Sequence, residues 1–285
     1  MDNTMQNSYH THISSKHNAL ELKLDEVWRY RDLILLFTKR NFVVRYKQTI
    51  LGPAWIILNP LFSSIIYAIV FGGIAKIGTD GIPTMLFYLC SNAAWLFFST
   101  CVTTNAQTFT NNADVFGKVY FPRLTMPIAN ILSAVIHFCV QMLMVLLFFT
   151  YYLIQGAVHP HWGAWLLLPV VLLHLGMLGL GCGIIVSSLT TKYRDLAILV
   201  DFAMQLWMYA TPVVYPLSTL NKGWIRTILL INPVTAPVEF FRYAILGQGS
   251  ILPGVLALSW AITIGVMLIG IVIFNKVERT FMDTV

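Results

Sequence analysis

The chain has 285 residues, of which 57% are hydrophobic and only 11% charged, with a formal net charge of +6. A mean hydropathy of +0.72 would leave a water-soluble domain almost no polar surface, so a bilayer is the expected solvent. Spans and short connectors use up the length, which excludes a soluble catalytic domain.

Residues 1–24 read as a disordered polar tail. His10, His12 and His17 sit there among Ser, Thr and Asn, and the tail accounts for them better than a metal site. A polar leader of this kind is the opposite of a basic segment followed at once by an apolar signal core, so no cleaved signal is expected. Residues 25–49 predict an amphipathic interfacial helix. On a helical wheel Val27, Tyr30, Leu33, Ile34, Phe37 and Val44 share one face, with Arg29, Asp32, Lys39, Arg40 and Lys47 mostly opposite. One reading is an anchor that fixes the first span. The other is a surface helix beside a pore entrance that receives an anionic lipid headgroup, with Arg45 and Lys47 as donors.

The remainder, 50–285, predicts an all-α polytopic membrane domain of six transmembrane helices. The apolar stretches exceed the roughly 18 residues that separate a span from a buried core helix. They run over about 54–75, 83–104, 126–154, 165–189, 196–214 and 251–274. Asn59-Pro60 interrupts the first and is expected to bend it. The fourth carries Gly176, Gly179, Gly181 and Gly183, the signature of close helix contact. Residues 215–250 are apolar in pieces but broken by Pro216, Pro233, Pro237 and Gly247. Two short re-entrant helices, around 224–231 and 238–246, fit that pattern.

Lysine and arginine favour the cytoplasmic side. With both termini inside, the inner segments hold Lys16, Lys23, Arg29, Arg31, Lys39, Arg40, Arg45, Lys47, Lys118, Arg123, Lys192, Arg194, Lys276 and Arg279, fourteen of eighteen. Lys76, Lys222, Arg226 and Arg242 fall outside. The positive balance therefore reports topology, and no nucleic-acid partner is expected.

The loop 105–123 carries Asn111, Asn112, Asp114, Lys118 and Arg123 beside Phe109, Val115, Phe116 and Val119. A short helix with exposed aromatics suits a groove on a partner protein, and an interfacial helix docked on its own bundle suits the pattern equally. Four ionisable groups, His137, His174, Asp201 and Glu239, are candidates for ion coupling. Each histidine stands alone, as one hydrogen-bonded between helices would. Trp95, Trp162, Trp165, Trp224 and Trp260 lie near span ends, as in an aromatic belt. Trp55, Tyr67, Trp207, Tyr209 and Tyr215 lie in or beside the first and fifth spans, where they either pack the core or guide a glycan by stacking. Cys90, Cys101, Cys139 and Cys182 read as small buried hydrophobes. No GxxxxGK[ST], HExxH, GxSxG or paired CxxC occurs, so energy for uphill transport would have to come from another subunit.

Trp28-Arg29-Tyr30-Arg31-Asp32-Leu33, Arg45-Tyr46-Lys47-Gln48, Leu51-Gly52, Trp55 and Pro60 resemble the ABC-2 type permeases that export lipid-linked polysaccharides, including O-antigen, capsule and teichoic acid exporters. Tyr120-Phe121-Pro122-Arg123, Tyr193-Arg194-Asp195-Leu196, Thr211-Pro212-Val213-Val214-Tyr215-Pro216 and Asn232-Pro233 follow in the family's order. Asn41 departs from it, since an acidic residue often stands there, and the tail before Leu20 is outside the pattern. The resemblance implies two permease copies with two copies of a separate ATPase subunit, which would carry the ATP and Mg; no cofactor is expected in this chain. It implies a coupling helix carrying Asn111, Asp114, Phe116, Lys118 and Arg123, and a lipid gate carrying Arg40, Arg45, Tyr46 and Lys47. The glycan path would then run past Trp55, Tyr67, Trp207, Tyr209 and Tyr215, with a polyprenyl-linked glycan as cargo and membrane lipids around it. An ion-coupled secondary carrier and a permease for drugs or simple lipids are the competing readings.

Overall fold

The computed structural model describes residues 24–119, 121–191, 193, 195–220, 223–249 and 251–284, with side chains described for 25–277. The expected tail up to residue 23, Tyr120, Lys192, Arg194 and Lys222 lie outside the described residues, as does the side chain of Arg279. Within them every regular element is helical, the form that satisfies backbone groups inside a bilayer without neighbours. The order is α1 (Leu24–Arg29), α2 (Arg31–Tyr46), α3 (Trp55–Tyr67), α4 (Thr84–Ala106), α5 (Thr108–Asn111), α6 (Ala113–Phe116), α7 (Thr125–Ile154), α8 (Trp162–Trp165), α9 (Leu168–Thr190), α10 (Leu196–Tyr209), α11 (Trp224–Ile231), α12 (Thr235–Leu246) and α13 (Pro253–Thr284).

Among the described residues five segments are long and apolar enough to span a membrane, or six if the bent pair Trp224–Ile231 and Thr235–Leu246 counts as one: Gly52–Ile74, Thr84–Ala106, Thr125–Ile154, Leu168–Thr190 and Pro253–Val277. The chain is thus a multi-pass membrane protein. The first of these stays helical through Pro60 and widens into a π-helix over Ala68–Ile74. The expected fifth span is shorter than its apolar run. Helix α10 has 14 residues, about 21 Å of rise, and ends before Thr211-Pro212. Proline lacks an N–H and disfavours helix at the residue before it, so α10 stops although the sequence stays apolar.

Helix α4 is the centre of the bundle, with 78% of its span buried against 17% for the first span and 22% for the last. It packs on α3, α7, α9, α10 and α12. Helix α9 is gripped from two sides. A Cβ on Gly179 would lie 2.5 Å from Cys101 Cβ, and one on Gly183 2.5 Å from Asn105 Cβ, so α4 rests on α9 nearly backbone to backbone. On the opposite side a Cβ on Gly181 would meet the Met267 backbone at 3.1 Å and one on Gly270 the Gly181 carbonyl at 3.0 Å. The close contact expected of the glycine-rich span is therefore present, on two faces.

The two ends of the bundle differ. At one, α11 and α12 meet at an 85° bend over Asn232-Pro233-Val234, giving the two short helices expected there. Asn232 holds the bend: its Oδ1 accepts from Val234 N and from Trp207 Nε1, while its Nδ2 donates to Ala210 O at 2.7 Å. Ser259 Oγ donates to Pro233 O and thereby fastens the same turn to α13. Helix α12 ends on Gly247, whose φ of +75° is the left-handed cap, and a Cβ there would collide with the His159 carbonyl. At the other end a second apolar cluster joins α1, α2, α5, α6, α7 and α13 through Val27, Ile34, Phe37, Phe109, Phe116, Phe121, Met126 and Phe274.

Candidate functional site

The surface helix expected over 25–49 is two pieces, α1 and α2, with a break at Tyr30. Its buried face is Val27, Ile34, Phe37 and Thr38, with Tyr30 and Leu33 partly covered, and α2 lies on α7. Val44, placed by the wheel with that face, is instead 68% exposed, and Arg40, placed opposite, turns inward. The reason is polar. Thr38, Arg40 and Asn41 find hydrogen-bond partners beneath α2, and those partners rotate the helix relative to a purely hydrophobic seat.

Thr38 Oγ1 donates to Ile34 O at 2.8 Å and lies 3.4 Å from Ala129 O. Asn41 Nδ2 donates to Asn130 Oδ1 at 3.0 Å, and Asn130 Nδ2 is shared among Thr104 O, Asn105 Oδ1 and Thr108 Oγ1, each at 3.3 Å. Arg40 Nη2 donates to Asn112 Oδ1 at 2.9 Å and to Asn41 Oδ1 at 3.2 Å, with its guanidinium 4.8 Å from the centre of the Phe37 ring. Burial pulls the Arg40 pKa down, yet a guanidinium keeps its proton. Asn41, the departure from the family pattern, thus takes no ion pair and joins Arg40 to Asn130.

The far end of α2 is held by Tyr46 and His137. His137 Nδ1 lies 2.5 Å from Ser133 O, a carbonyl that can only accept, so Nδ1 carries the proton. Nε2 is then the acceptor for the Tyr46 hydroxyl at 2.7 Å. Phe42 packs on both rings, 5.2 and 5.7 Å away. Burial raises the Tyr46 pKa, against a smaller opposing effect of Arg45, and keeps the donor protonated.

Between α2, α4, α5, α7 and α10 these groups line an open cavity of about 690 Å³. Its lining includes Arg40, Asn41, Arg45, Thr100, Thr103, Thr104, Gln107, Asn111, Asn112, Asn130, Ser133, His137 and Asp201. Arg45 and Lys47 are exposed, Arg40 and Tyr46 half-buried. Of the coupling residues, Asn111, Asp114 and Lys118 are exposed and Arg123 is half-buried, its guanidinium 5.9 Å from the Phe116 ring centre. The exposed aromatics expected in this loop are not exposed: Phe109 is 0% and Phe116 5% accessible, both in the apolar cluster. They press α5 and α6 onto the bundle and turn the polar residues outward.

The five path aromatics differ in exposure. Trp55 and Tyr209 are exposed. Tyr67, Trp207 and Tyr215 are half-buried and polar-bonded, through Tyr67 to Met208 Sδ, Trp207 to Asn232 and Tyr215 to Tyr209 O. Trp95, expected in the belt, is 3% accessible and packs on Phe98, while Cys139, expected buried, is exposed. His174 is bonded between helices: Ser259 and Thr263 spend their protons on Pro233 O and Ser259 O, so Nε2 is the donor to both hydroxyls at 3.0 Å. Glu239 and Arg242 form a buried ion pair one turn apart on α12, with Arg242 4.7 Å over the Phe87 ring. The i, i+3 spacing of the two residues was the sequence signal for this pair. Among the described residues no cluster of three or more His, Cys, Asp or Glu is placed to hold a metal ion.

The chain is a membrane-spanning helical bundle with a polar cavity beneath an amphipathic surface helix. Residues 32–246 match the ABC-2 type transporter family, and the chain belongs to it. It is similar to the O-antigen export system permease protein RfbA of Myxococcus xanthus, 28% identical over 220 residues that cover 76% of this chain and 81% of that protein. Two such permeases of Klebsiella pneumoniae are 27% and 26% identical, each over 88% of this chain and 94% of their own length.

Proposed function

We propose that the chain is the permease subunit of an ATP-driven exporter that moves a lipid-linked polysaccharide, O-antigen on a polyprenyl carrier, across the cytoplasmic membrane with both termini inside. The observation that carries the reading is the likeness to permeases named for O-antigen export over 81–94% of their lengths. A separate nucleotide-binding subunit, in two copies, supplies ATP and Mg chemistry to two copies of this chain.

The glycan's phosphates meet the exposed Arg45, at the mouth of the cavity, and Lys47, with the half-buried Arg40 and Tyr46 beside them, while the lipid stays in the bilayer. Carrying that charge through hydrocarbon unaided would cost far too much. Asn111, Asp114 and Lys118 form the outward rim that seats the ATPase, supported from beneath by Phe116 and Arg123. Closure of the ATPase dimer moves this rim, and the glycan advances past the rings of the first and fifth spans, Trp55 and Tyr209 among them. His137, His174 and Glu239 are each engaged in a local hydrogen bond or ion pair, which weighs against an ion-coupled carrier.

The test is export of a lipid-linked glycan by the reconstituted permease and ATPase. Arg45→Ala with Lys47→Ala should lower flux at normal protein level; unchanged flux would sink the headgroup role. Failure of any nucleotide-binding subunit to co-purify would sink the ATP-driven reading itself.

A further inference from the structure

The cavity under α2 differs in kind from the other recesses of the molecule. Those near α11 and the start of α13 are lined mainly by leucine, isoleucine and valine. This one, at about 690 Å³, is lined mostly by amides, hydroxyls and charged groups, with Val44 and Ala134 as its apolar members and no Phe, Tyr or Trp among the described lining residues. Its one ring, His137, has both nitrogens engaged by Ser133 and Tyr46, so such a wall offers a ligand hydrogen bonds more than stacking.

Its walls are set before any ligand arrives. Asn41, Asn112, Asn130 and His137 are fixed by the bonds described above, and Ser133 Oγ is spent on Ala129 O at 2.9 Å. Both Nη2 protons of Arg40 are used on Asn112 and Asn41, which leaves Nη1 and Nε outside those two bonds. Arg45 reaches the cavity from the next turn of α2, and Asp201 on α10 is the one carboxylate among the described lining residues. Two cations against one anion, with threonines, asparagines and a glutamine between them, complement a ligand that carries both hydroxyls and a negative charge.

We propose that this cavity binds a phosphorylated polyol, with its phosphate against Arg45 and Arg40 and its hydroxyls against Thr103, Gln107 and Asn111. The first sugar phosphate of a lipid-linked glycan and the headgroup of phosphatidylglycerol share that chemistry. The choice of the glycan rests on the export function proposed above; the site itself does not. Asn111 lies in α5, so a bound ligand touches the segment that carries the exposed rim and its occupancy is felt there.

The experiment uses the complete permease–ATPase complex in phosphatidylcholine nanodiscs, with Cys139→Ala to remove the exposed native thiol and Thr103→Cys as reporter. The measurement is the rate of modification by a charged methanethiosulfonate. Glucose 1-phosphate should slow it about tenfold at saturation, whereas glucose or inorganic phosphate alone should not. Adding Arg45→Gln should raise the half-protecting concentration about tenfold, the effect of losing one charge-assisted contact. A rate indifferent to glucose 1-phosphate makes the cavity a water-filled vestibule and overturns the proposal. Equal protection by inorganic phosphate overturns its polyol half. If neither Thr103→Cys nor Gln107→Cys is modified in assembled complex, the cavity is closed to solvent and the proposal fails. Protection on adding phosphatidylglycerol to the nanodisc supports the site with a membrane lipid as occupant, and protection by a polyprenyl-diphosphate sugar supports it with the cargo. Protection by glucose 1-phosphate but not by the polyprenyl-linked sugar keeps the site and removes its support for glycan export.

Discussion

Arg40 Nη2 and Asn112 Oδ1 meet at 2.9 Å, a bond that ties the surface helix α2 to the turn between α5 and α6. Asn112 is 7% accessible and its own amide donates to Thr108 O, so it cannot follow Arg40 without moving α5. The segment expected to seat the ATPase and the helix expected to gate the lipid are joined directly by two side chains that stand 72 residues apart in sequence.

Asn112→Ala removes that link and leaves the ATPase rim in place. Export flux should fall about tenfold, the effect of losing roughly 1.4 kcal/mol of coupling, while ATP turnover persists. Asn112→Asp, which offers Arg40 a charged partner, should retain most flux. Hydrolysis and transport measured in the same proteoliposomes check both.

Tyr46→Phe keeps the ring contacts with Phe42 and His137 and deletes only the hydroxyl. The far end of α2 should loosen by about 1 kcal/mol, read as faster amide hydrogen exchange over residues 42–47. The pH dependence has a definite sign. Burial raises the folded tyrosine pKa above its ordinary 10.0, so a free phenol ionises first, and docking of α2 should weaken only as pH rises past that value.

Gly179→Ala and Gly183→Ala each force a methyl into α4 and should cost about 1–3 kcal/mol. Gly163→Ala and Gly254→Ala, where a Cβ would meet nothing within 4 Å, should be close to neutral. Thermal unfolding in one detergent separates the two pairs.

Arg242→Leu strands the Glu239 carboxylate among buried groups, at a cost of about 3–5 kcal/mol. The double variant with Glu239→Leu should recover much of it, since no uncompensated charge then remains. Protein abundance and melting temperature of the single and double variants supply the comparison.

Long apolar runs made most of the spans legible, and the glycines of the fourth announced its tight packing because only a missing Cβ permits such an approach. The fifth span was overdrawn because hydropathy does not register what Pro212 does to the backbone before it. Rotation of α2 was misjudged for a related reason: a helical wheel scores Arg40 as polar and therefore outward, yet Asn112, distant in sequence, offers it a partner inside. The cavity itself had no local signature, being assembled from five helices whose threonines and asparagines look unremarkable singly. That Arg45, Lys47, Asp114 and Lys118 are exposed could be read from sequence, since no folded partner was needed to place them on a surface.

The grip of α4 and α13 on α9 divides the bundle mechanically. Backbones in such close contact leave no slack for sliding, so these three helices are expected to move as one block. Parts with little to unpack are the first span, 17% buried, and the short α10, whose buried side chains are Met204 and Met208. Under the ATP-driven export proposed above, a stroke would be absorbed on that flank, along the seam where α3 and α10 lean on α4.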